Sequence, residues 1–194
     1  MKNDKIKRMT GIALLIALVV VMQSVSSIIP PVSGFSISLV LIPVVLGAAL
    51  FGPAAGALLG GVFGTIVFIN CVTGADAGGQ MVFQASPVLC FLVVMGKGIL
   101  AGLAAGSVYR LLKNRSGYLA MLCAAIVCPL VNTGIFFGCM LLFYKDVLAV
   151  WANGGDLLAY LFGVLAVFNF LPELAINVVF SPAGQRILHM VEKK

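Results

Sequence analysis

The sequence predicts an all-α integral membrane protein with six transmembrane helices and both termini in the cytoplasm. Three observations carry that prediction. The 194 residues are 62% hydrophobic and only 9% charged, against roughly 25% charged in an average soluble domain, so too few polar residues exist to clothe a water-facing surface. Charges and Gly/Pro breaks divide the chain into apolar segments near 10–29, 37–51, 53–70, 87–112, 118–143 and 157–180. Most approach the roughly 20 residues that a bilayer-crossing helix needs. The basic residues, finally, fall very unevenly on the two sides of those segments, and that asymmetry sets direction.

The first segment follows the basic stretch MKNDKIKRMT. A secretory signal has an apolar core of only about 7 to 15 residues, whereas Thr10–Ile29 runs to spanning length, so it is read as a retained helix. Residues 37–69 carry no charge at all. One helix of that length would run about 50 Å against a hydrocarbon core of about 30 Å, so Gly52-Pro53 must turn the chain. The second segment is short for a crossing, and tilt or local thinning is expected there. The fourth, 87–112, carries Lys97 near its middle. In the fifth, Asn132 and Thr133 follow Pro129, and in the sixth Asn169, Glu173 and Asn177 fall at i, i+4 and i+8, on one helical face beside the breaker Pro172. One membrane domain over 1–194 is expected.

With the N-terminus inside, Lys2, Lys5, Lys7, Arg8, Arg110, Lys113, Arg115, Arg186, Lys193 and Lys194 all fall on the cytoplasmic side, ten of the twelve basic residues. The outside receives Lys145 with Asp76, Asp146 and Asp156, and Lys97 stays in the membrane. A net charge of +6 is therefore what inner loops produce, and no nucleic-acid partner is needed to explain it.

Glycines recur every four residues at Gly52, Gly56, Gly60 and Gly64, and again at Gly98, Gly102 and Gly106. Such ridges let helix backbones approach closely where lipid offers no hydrophobic drive for association. Ala13 and Ala17 make a shorter pair of the same kind. The five cysteines form no CxxC pair, and the one histidine, His189, lies in the tail, so neither a metal site nor a cofactor is expected. GxxxxGK[ST], HExxH and GxSxG are all missing. The chain has no recognised means of using ATP by itself and no sign of enzymatic machinery.

Lys97 is the informative residue. An ammonium at mid-membrane depth costs about 2.5 to 3.5 kcal/mol on insertion scales, so a partner must compensate it. Two readings stay open: a structural ion pair with Glu173, or a pocket in which Lys97 receives an anionic group of a ligand while Asn132, Asn169 and Glu173 bond its polar remainder.

The basic N-terminus, Ala13 and Ala17, the stretch IIPPVSGFSISLVLIPVVLGAALFGPAAGALLGGVFG and NTGIFFGCMLLFY in the fifth segment together resemble the substrate-binding S components of energy-coupling factor (ECF) vitamin transporters. The likeness covers nearly the whole chain. It implies a multi-pass protein of the bacterial cytoplasmic membrane that binds a water-soluble vitamin near the outer face. A T component and two ATPase subunits would supply the energy, with the AxxxA face at Ala13 and Ala17 docking on the T component.

GPAAGALLGGVFG, the segment around Lys97 and Asn132-Thr133 look most like the pantothenate-type branch, in which an arginine commonly takes the place of Lys97. The lysine here gives a point charge instead of a bidentate fork. Riboflavin or folate binders are the alternatives, with Phe35, Phe83, Tyr144 and Trp151 as aromatic candidates. A stand-alone carrier or channel is the alternative of another class. Stretches 30–36, 71–86 and 144–156 are expected to close the pocket, with Phe35 and Trp151 in contact with ligand.

Overall fold

The computed structural model describes residues 2–28 and 39–192, and no strand occurs among them. Nine α-helical stretches follow one another: α1 (Lys2–Ile28), α2 (Leu41–Phe51), α3 (Pro53–Thr73), α4 (Ala77–Ala85), α5 (Pro87–Leu112), α6 (Gly117–Phe143), α7 (Lys145–Trp151), α8 (Leu157–Tyr160) and α9 (Leu171–Glu192), with a π-helical segment, Leu161–Phe170, between the last two. Five helices are long and apolar enough to cross a membrane: those over Lys5–Ser26, Pro53–Thr73, Pro87–Leu112, Gly117–Phe143 and Leu157–Met190.

The second segment, expected over 37–51, falls short. As a helix it has only 11 residues, about 16 Å at 1.5 Å per residue and roughly half a hydrocarbon core. Gly52 ends it at φ 93°, a left-handed backbone that a side chain would strain, and Pro53 opens α3 at a position where its missing N–H costs nothing. The turn expected at Gly52-Pro53 is present. Leu41, Val44, Val45 and Ala48 bury one side of α2, so packing holds it in spite of its length.

The two glycine ridges meet each other. A methyl built on Gly56 would strike the carbonyl oxygen of Gly102, and one on Gly60 that of Gly98. One on Gly64 would lie 2.7 Å from the carbonyl oxygen of Val94, and one on Gly106 2.6 Å from Cα of Pro53. The order is antiparallel, and the backbones of α3 and α5 touch over about three turns because no Cβ separates them. This central pair fixes the positions of Phe63, Val94 and Lys97.

Two segments expected as plain loops contain helices. Residues 71–86 hold α4, whose Val82 is buried and whose Phe83 ring meets Phe68 of α3 edge-on at 5.8 Å. Residues 144–156 hold α7. Gly78 and Gly79 lower the intrinsic helix propensity of α4, and burial of its apolar side overrides that. The buried Tyr144 hydroxyl donates to the Ser86 carbonyl oxygen at 3.2 Å, tying the end of α6 to the start of α5. Burial pushes its phenol up to about 12, so it stays a donor at neutral pH.

Several basic residues gather at the other end of the bundle from Tyr144 and Lys145. There Arg8 donates to the carbonyl oxygen of Phe51 at 3.0 Å, a cation at a helix C-terminus, and Arg110, Lys113 and Arg115 lie at the α5–α6 junction.

Candidate functional site

A cavity, open at its mouth, lies among α1, α3, α5, α6, the π-helical segment and α9, with α4 and α7 at one end. Of the residues predicted to bind ligand, Lys97, Asn132, Asn169, Glu173 and Trp151 all line it. The sixth, Phe35, lies outside the described residues.

Lys97 enters from α5: its ammonium lies 5.0 Å from the Phe136 ring centroid and 6.0 Å from that of Phe63. The negative faces of these rings attract a cation by roughly 0.5 to 2 kcal/mol, less than its burial costs. Both rings also line the cavity, so the charge is steadied sideways and left facing the void.

On α6, Pro129 sits inside the helix one turn before Asn132, where it cannot donate to the backbone ladder. Asn132 is 4% exposed and Thr133 5%, and Oδ1 of Asn132 and Oγ1 of Thr133 meet no hydrogen-bond partner among the described residues. Buried polar atoms of this kind are uncommon and need an explanation. Both residues line the same cavity as Lys97.

The face expected for Asn169, Glu173 and Asn177 divides. Asn169 lies in the π-helical segment, whose i+5 bonds continue to the N–H of Leu171 donating to Ala166. It and Glu173 line the cavity, while Asn177 lies in a second recess among α2, α6 and α9. Its side-chain N–H donates to the Glu173 carbonyl oxygen at 2.8 Å, satisfying backbone near Pro172. The wider turn of the π-helix shifts side-chain directions relative to an ideal α-helix, which a spacing argument does not foresee.

Over the cavity, the Trp151 indole N–H approaches Sδ of Met81 at 3.3 Å. Thus α7 touches α4, and the two stretches expected as loops form one roof. Phe83 and Tyr144, named as possible stacking aromatics, are instead engaged in packing with Phe68 and Ser86. Ala13 and Ala17 lie on the exposed side of α1, away from its buried Leu15 and Val19.

A family model described as the substrate-specific component of the ECF transporter matches residues 7–183. The chain belongs to the substrate-specific components of ECF transporters. This component is also 28% identical over 194 residues, 94% of each chain, to the pantothenic acid transporter PanT of Lactococcus lactis subsp. cremoris. Its membership makes it a multi-pass membrane transport protein.

Sequence reasoning missed several residues that line the cavity of this substrate-specific component: Gln23 of α1, Asn70 at the end of α3, Asp76, Phe63 and Phe136. For the first two a signal existed, a lone amide in an apolar helix. Asp76 was visible only as an acid on the outer side. The two phenylalanines had none, because nothing distinguishes a ring beside a cation from any other apolar residue.

Proposed function

We propose that this chain is the vitamin-binding subunit of an ATP-driven uptake transporter and that its ligand is pantothenate. Pantothenate carries one carboxylate, an amide and two hydroxyls. The carboxylate goes to Lys97, and the amide N–H and the secondary hydroxyl go to Asn132, Thr133, Asn169 and Glu173. The observation that carries the reading is one ammonium facing the same void as two buried, unpartnered acceptors. The relative that transports pantothenic acid supports the choice of vitamin. So does the withdrawal of Phe83 and Tyr144 into packing, which leaves fewer rings for a stacked flavin.

The reading takes α2 as a sixth crossing and puts both termini in the cytoplasm of a bacterial cell. Support comes from the basic residues at the end of the bundle away from the cavity. ATP hydrolysis belongs to two ATPase subunits coupled through a T component. Ala13 and Ala17, small and exposed on α1, form the docking strip. Ala13→Leu with Ala17→Leu is expected to abolish co-purification with the T component while leaving pantothenate affinity within about twofold. Retained co-purification would move the docking surface elsewhere.

The direct test is ligand protection. Pantothenate at 100 times its Kd should stabilise the purified chain by about 2.7 kcal/mol, visible as a raised Tm, and should change the fluorescence of Trp151, the single tryptophan. Proteoliposomes holding this chain alone should bind pantothenate but not transport it. ATP-independent flux would make the protein a stand-alone carrier.

A further inference from the structure

We infer that Asp76 reads the free terminal hydroxyl of the ligand and excludes phosphate esters at that position; this rests on the pantothenate reading above. Lys97 and Cys90 both line the cavity from α5, seven residues apart, hence about 10 Å along the helix axis. Cys71 and Cys90 are both buried in one packed cluster, and both line the cavity. A Cβ on Gly79 would lie 2.5 Å from Sγ of Cys71 and 2.8 Å from Oδ2 of Asp76. The Asp76 carboxylate therefore sits beside Cys71, toward the Cys90 end of α5, and the backbone of Lys97 lies about 10 Å further along that helix than the backbone of Cys90. Eight bonds separate the carboxyl carbon of pantothenate from its terminal hydroxyl oxygen, about 10 Å in an extended chain at roughly 1.2 Å per bond. A ligand whose carboxylate rests at Lys97 reaches Asp76 with its hydroxyl.

Asp76 is free for that task. It is the N-cap residue of α4, yet its side chain makes no capping hydrogen bond, and it faces the cavity. Its carboxylate accepts from a hydroxyl O–H. A phosphate ester offers no such donor and brings close to two negative charges beside the carboxylate, in a cavity whose lining, among the described residues, holds one lysine against Asp76 and Glu173. The first turn of α4 would favour an anion, but Asp76 already occupies that field. The cavity admits a monoanion with a free hydroxyl at its far end.

The test compares pantothenate and its terminal phosphate ester by calorimetry on the purified full chain. Wild type is expected to bind the ester at least 100-fold more weakly. Asp76→Asn keeps an accepting oxygen without the charge, so it should hold pantothenate within about tenfold and narrow the discrimination at least tenfold. Asp76→Glu should preserve it. Pantothenate bound with no discrimination, or with the same discrimination in Asp76→Asn, overturns the role of Asp76. Failure of wild type to bind pantothenate overturns the choice of ligand instead.

Discussion

Replacing Lys97 with alanine is expected to weaken pantothenate binding more than 100-fold. Among the described residues the ammonium is the one basic group lining the cavity, and its ring neighbours offer no hydrogen-bond donor for a carboxylate to use in its place. Removing one partner of a buried charge pair typically costs about 3 to 5 kcal/mol, and each 1.4 kcal/mol is a factor of ten in affinity. The uncharged alcohol analogue of pantothenate should lose less than about tenfold, because it never made that pair. Equal loss for acid and alcohol would instead mean that Lys97 props up the cavity. Lys97→Arg should retain binding, since a guanidinium keeps the charge and adds a fork that suits carboxylates. Titration of the acid and the alcohol against the three proteins decides the matter.

Gly60→Ala should be, with Gly102→Ala, among the most damaging single methyls at the described residues. The added Cβ would overlap the carbonyl group of Gly98, and backbone cannot rotate away as a side chain can. The two helices must part, at a cost of about 3 kcal/mol or more by the measure of overpacked cores. Phe63 and Lys97 lie within a turn of this contact and line the cavity, so ligand affinity should fall along with the Tm. Gly61→Ala is the control: its methyl would meet Ile99 no closer than 3.6 Å, an ordinary contact, and less than about 1 kcal/mol of change is expected. Matching Tm values for the two variants in one detergent would refute the close approach.

Much of the architecture is legible in the chain because bilayer physics is blunt. Long apolar runs, a charge-free stretch too long for one helix and a glycine every fourth residue each have few physical solutions. The polar residues that line the cavity were legible for the same reason: Lys97, Asn132 and Glu173 stand out where every polar atom needs a partner. The helices α4 and α7 were not, since glycines and polar residues blur their pattern and burial against α3 and α5 decides them. Nor was the length of α2, where the apolar run extends beyond the helix that forms.

The sequence by itself determined the solvent, the helical class, the turn at Gly52-Pro53 and the polar residues that a greasy bundle would have to house. Only the tertiary structure decided where those residues meet. It separated Asn177 from Asn169 and Glu173, brought Asp76, Phe63 and Phe136 into the same cavity as Lys97, and set one glycine ridge against the other. The reason is that composition and spacing act along one helix at a time, whereas a cavity is made by side chains from several helices whose mutual rotation is fixed by packing.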